Sequence, residues 1–102
     1  MDSLISAHRQ ELEELCRRHH VRHLALFGSA ATGTFEHGRS DLDFLVEFQP
    51  LSPADRAEAY FGLLLALEDL FRRPIDLVEE GASQNPYFVQ AVELSKTPVY
   101  AA

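Results

Sequence analysis

Residues 41–48 read Asp-Leu-Asp-Phe-Leu-Val-Glu-Phe. Strict alternation puts Leu42, Phe44, Val46 and Phe48 on one face of a strand and Asp41, Asp43, Leu45 and Glu47 on the other. The apolar face needs a layer to cover it, and the flanking sequence supplies helices. Upstream, Val21 to Phe27 reads as a buried strand interrupted by Gly28 and Ser29. Before it, Leu4, Ile5, His8, Leu12, Leu15 and Cys16 recur at helical spacing, which predicts a helix from Ser3 to His20. Residues Ser29 to Gly33 are small enough to open a short helix, and Thr34 to Arg39 is a loop marked by Gly38.

Downstream, Ser52, Pro53 and Asp55 supply a capping hydroxyl, a proline for the first turn and an early carboxylate. The helix they open is expected to reach Phe71, with Ala57, Phe61, Leu64, Leu67 and Phe71 as its buried stripe. Ile75 to Glu79 is a third strand. Asn85 and Pro86 start a last helix carrying Phe88, Val89 and Val92, and Pro98 to Tyr100 adds an edge strand. The order α-β-α-β-α-β-α predicts an α/β (α+β) fold, a small mixed sheet flanked by helices.

Composition bounds what such a chain can do. At 102 residues a domain buries only roughly 60–65% of its unfolded surface, so residues 1–102 are expected to form one domain. The net charge of −7 argues against direct nucleic-acid binding, which calls for a basic footprint. The longest apolar run, Leu63 to Leu67, is too short to span a bilayer. Asp2 stands where a signal peptide carries positive charge. A lone cysteine, Cys16, fits a reducing compartment, so a cytoplasmic location is expected. Its simplest role is a small core side chain.

The chemistry is expected on the acidic strand face. Asp41 and Asp43 lie two residues apart, about 6.6–6.8 Å along a strand, so their carboxylates can converge on one cation or bridge two. Alone, such a pair can equally be an exposed strand face in water. Asp76, between Ile75 and Leu77, adds a third carboxylate if its strand lies beside the Asp41 strand. Gly28-Ser29 follows an apolar strand and precedes small residues, an arrangement in which backbone N–H groups hold phosphate. A Gly-Ser at a strand end is also a common turn. His19, His20 and His23 straddle a helix end and a strand start, so they are not expected to converge on zinc. His8 is expected to be packed and hydrogen-bonded.

Taken together, Gly28-Ser29, Gly33, Ser40-Asp41-Leu42-Asp43 and a distant Asp76 resemble the DNA polymerase beta-like nucleotidyltransferase superfamily. The string Arg39-Ser40-Asp41-Leu42-Asp43-Phe44-Leu45-Val46, with Arg73-Pro74-Ile75-Asp76-Leu77-Val78 and Asn85-Pro86-Tyr87-Phe88, is similar to the minimal nucleotidyltransferases (MNT). Many of these are antitoxins of HEPN/MNT toxin–antitoxin pairs. The resemblance covers nearly the whole chain.

It implies two Mg²⁺ ions held by Asp41, Asp43 and Asp76, and a triphosphate of ATP gripped by Gly28 and Ser29, with Ser40 and Arg39 beside them. It implies transfer of AMP to a tyrosine hydroxyl of a partner HEPN RNase toxin, and hence an antitoxin that works in a hetero-oligomer. The chain departs from the pattern at Thr32, where many members carry an arginine, and at Ala30, often basic. Arg39 can replace the missing cation, or it is a loop arginine in solvent. Two other functions fit the same residues: a catalytically weak antitoxin that neutralises its toxin by binding, and a transferase acting on a small-molecule hydroxyl.

Overall fold

A computed structural model describes residues 3–28, 42–82 and 85–102. The chain begins with two helices, α1 (Ser3–Ala7) and α2 (Arg9–Arg18), followed by strands β1 (Val21–Phe27) and β2 (Leu42–Phe48). A 19-residue helix, α3 (Pro53–Phe71), leads to β3 (Ile75–Glu79), then helix α4 (Pro86–Ser95) and strand β4 (Thr97–Ala101). The four strands form one mixed sheet in the order β3-β2-β1-β4. β1 pairs antiparallel with both β2 and β4, while β2 and β3 run parallel. A parallel pair cannot be closed by a tight turn, and α3 is the crossover between these two strands. The expected mixed sheet with flanking helices is thus the architecture observed.

Local chemistry sets the element ends. The Ser52 hydroxyl accepts a hydrogen bond from Asp55 N at 3.2 Å, and Pro53 fills the first turn of α3. Arg72 closes that helix in the left-handed region, φ 57°, its N–H donating to Glu68 O. Asn85 caps α4 through Tyr87 N at 2.9 Å. His20, at φ 60°, turns the chain out of α2 into β1 without a glycine, and its carbonyl accepts from Gln49 N.

Two expectations are corrected. The first helix is not continuous from Ser3 to His20: it breaks at His8, φ −116°. His8 packs edge-on against Phe71, with ring centroids 5.3 Å apart. Its Nδ1 lies 3.6 Å from Glu11 Oε2, too far for the hydrogen bond expected. Nothing in the local sequence signals the break. The buried stripe of α3 is also rotated. Ala59, Leu63, Leu67 and Phe71 are buried, whereas Ala57 and Phe61 face outward and Leu64 is half-buried.

The core lies between that stripe, α2 and one sheet face. Leu12 and Cys16 of α2, Leu24 and Leu26 of β1, and Phe44 of β2 are all within 1% of complete burial. Phe44 stacks on Phe71 at 6.0 Å. Among the described residues no helix is long and apolar enough to cross a membrane.

Candidate functional site

The alternation of β2 does what the sequence requires: Leu42, Phe44, Val46 and Phe48 are buried, while Asp43, Leu45 and Glu47 are only partly so. The second set forms the open face of the sheet, opposite α2 and α3. On that face the register brings three side chains into a row across three strands. Phe27 of β1 pairs with Asp43, and Asp43 pairs with Asp76 of β3. Neighbouring strands lie about 4.8 Å apart, so two carboxylates from distant parts of the chain stand side by side. Asp43 is half-buried and Asp76 exposed.

Gly28 ends β1 directly beside this row. Its φ of +73° is open to glycine and unfavourable for other residues, and a Cβ there would stand 2.3 Å from Asp43 Oδ2. The absence of a side chain therefore leaves the backbone against the carboxylate. Hydrogen-bonding backbone and carboxylate oxygens are what a hydrated divalent cation and its bound phosphate require. Asp43 and Asp76 fit that oxygen donor set. Of the other site residues read from the sequence, Ser29, Arg39, Ser40 and Asp41 lie outside the described residues, as does Thr32. Among the described residues no group of three His, Cys, Asp or Glu side chains is placed to hold a metal ion.

Sequence reasoning did not single out the apolar slot next to the acids. Leu45 and Val78 follow Asp43 and Asp76 by two residues, on the same face. With Phe88, Val89 and Val92 of α4 they line a 230 Å³ cavity rimmed by Glu79, Glu80 and Glu93. Phe88 meets Phe27 edge-on at 6.0 Å, which fixes α4 over this side of the sheet. The period of two that identified the acids also carries this wall. On the β3 side, the Tyr60 hydroxyl donates to Leu77 O on the open edge of the sheet. Burial, then the charges of Asp76 and Glu79, push the Tyr60 phenol above its ordinary value.

A larger cavity of 450 Å³ lies elsewhere, between the end of α2 and the start of α3. It is lined by Arg18, His19, His20, Asp55 and Glu58 among others and contains none of the predicted site residues. The three histidines do not converge. His19 packs on Gly62 of α3, and His23 Nδ1 sits 2.8 Å from Glu47 Oε1 on the sheet.

Comparison with known proteins gives the family and the fold. The family described as nucleotidyltransferase domain matches residues 8–98. A protein of Methanocaldococcus jannaschii named "putative protein adenylyltransferase" is 33% identical over 90 residues, 88% of this chain and 85% of its own. A solved structure provisionally named a minimal nucleotidyltransferase is 34% identical with a TM-score of 0.72, and the match covers 96% of each chain. One chain of the solved complex of tri-AMPylated Shewanella oneidensis HEPN toxin with MNT antitoxin shares the fold, at 20% identity and a TM-score of 0.60 over 96% of this chain and 73% of that one. The in-register acids, the glycine at the end of β1 and the extent of these matches lead to one conclusion: the chain belongs to the nucleotidyltransferase domain family.

Proposed function

We propose that this nucleotidyltransferase transfers AMP from ATP to a tyrosine hydroxyl of a partner HEPN toxin and thereby acts as its antitoxin. The observation that carries the reading is the in-register pairing of Asp43 with Asp76 beside Gly28. Like charges at that spacing repel, which a solvated face gains nothing from and a cation relieves. Asp41, Asp43 and Asp76 would hold Mg²⁺, which when bound neutralises charge building on the phosphate. The backbone at Gly28 and Ser29 would grip the triphosphate, with Ser40 and Arg39 beside it. Asp76, exposed at the edge of the row, would take the proton as the hydroxyl oxygen bonds to the α-phosphorus and the bond to pyrophosphate breaks. The slot of Leu45, Val78 and Phe88 offers a flat ring an apolar wall that begins two residues along each strand from the acids.

The partner assignment draws support from the protein adenylyltransferase name of the M. jannaschii relative and from the HEPN complex of the S. oneidensis neighbour. One observation favours a second reading: Thr32 stands where many members carry arginine, which suits an antitoxin that acts by binding alone. The test is incubation of the purified chain with labelled ATP, Mg²⁺ and the product of the adjoining gene. Label should appear on a tyrosine of that product and disappear with Asp43→Asn. Full neutralisation of the toxin without any label would replace transfer with binding.

A further inference from the structure

Helix α3 carries two apolar stripes, and the core uses only one. Ala59, Leu63, Leu67 and Phe71, spaced by four, are buried. Ala57, Phe61 and Leu65, also spaced by four, run about 200° round the helix from them and face outward. Phe61 is 60% exposed and Leu65 65%. A helix that is apolar on both sides is usually covered on both sides. The Tyr60 ring stands edge-on to Phe61 at 5.2 Å, so the aromatic surface is held and not loosely splayed.

Charge around the stripe selects what can cover it. Glu58 precedes Phe61 by three residues and Asp69 follows Leu65 by four, so both acids border the stripe on the helix surface. Beyond Asp69 a 290 Å³ groove between α2 and α3 adds Glu11 and Glu14. Its one cation, Arg18, is drawn to Glu14 at 3.5 Å. A second copy of this chain is a poor occupant. Antiparallel pairing centred between Phe61 and Leu65 would set Glu58 against Glu68 of the other copy, acid on acid. A stripe with i, i+4 spacing matches the ridges of another helix.

We propose that the outer face of α3, centred on Phe61 and Leu65, docks a helix of the acceptor protein that carries lysine or arginine beside its own apolar stripe. This rests on the reading that the acceptor is a protein. The face lies across the sheet from Asp43 and Asp76, so docking and transfer are separable by mutation. The test is binding of the adjoining gene's product, by calorimetric titration, to the wild type, to Phe61→Ser with Leu65→Ser, and to Glu58→Lys with Asp69→Lys. Truncating the two apolar anchors together should weaken binding by at least about 30-fold. Charge reversal should weaken it about tenfold or more and flatten its salt dependence. In transfer assays, both variants should raise the acceptor concentration needed and keep turnover at saturation. Because the substitutions are on the surface, a melting temperature near the wild-type value confirms the fold, and the charge-reversed pair decides if the serine pair unfolds. Unchanged binding by the variants would overturn the proposal while leaving transfer intact. So would a wild-type dimer that the serine pair dissolves, or no binding by the wild type. Tight wild-type binding weakened in both variants, with no transfer at all, would support the docking face and sink the AMP-transfer reading instead.

Discussion

A methyl group at residue 28 would stand 2.3 Å from Oδ2 of Asp43, so the glycine and the carboxylate occupy adjoining space that no other residue type shares. Gly28→Ala therefore has two consequences. The φ of +73° becomes unfavourable by roughly 1–2 kcal/mol, and Asp43 must move. Activity is expected to fall at least about tenfold, the effect of a shift of only ~1.4 kcal/mol in the barrier. Melting temperature and kcat measured together check this, and full activity with lowered stability would detach Gly28 from the site.

Asp43 and Asp76 are paired across parallel strands, and a cation bound between them should stabilise the folded state. At ten times Kd that amounts to about 1.4 kcal/mol, several degrees of Tm for a domain this size. Mg²⁺ with ATP is expected to raise Tm, and Asp43→Asn or Asp76→Asn to remove the rise. An equal rise in both variants would mean that the ions bind elsewhere.

That Asp43 and Asp76 each stand on the face of their strand opposite the core was legible in the sequence, and the reason is periodicity. A period of two put Asp43 opposite the apolar face of β2, and the same period placed Asp76. Their alignment depends on the register of two strands separated by a 19-residue helix, which no local pattern specifies. The α3 stripe was misread for a related reason. Apolar residues sit all round that helix, so periodicity offered two solutions and packing chose Ala59 and Leu63 over Ala57 and Phe61. The break at His8 has no local signal; among the described residues its ring contact is with Phe71, on a helix far along the chain.

His19 is expected to make stability depend on acid. Burial, with the charges of Arg18 and His20, lowers its value in the folded state below the ordinary 6.5. Above 6.5 both states are neutral and the contribution is complete. As pH falls through that value toward the folded one, the unfolded chain takes up the proton first and stability is lost. His19→Gln should flatten the fall of Tm below about pH 6.5. An unaltered pH profile in the variant would assign the slope to other groups.

Cys16 is fully buried in α2, and burial pushes its thiol up from 9.0 to about 12. Three units leave about a thousandth of the usual thiolate, the reactive form. Native protein at pH 8 should therefore react with a thiol reagent about a thousandfold more slowly than protein unfolded in urea. Comparable rates would show that the core of α2 opens readily.

Because side chains along a strand alternate, β3 displaced by one residue against β2 would turn Asp76 inward, toward the layer that holds Leu67 and Phe71. Burying a carboxylate there without a partner costs several kcal/mol, more than a misaligned strand can recover from its hydrogen bonds. Ile75 and Leu77 would at the same time be turned out to water. A chain that has settled into this sheet has thus already been proofread at the place where the acids meet. The residues proposed to serve phosphate chemistry also penalise the nearest misfolded alternative.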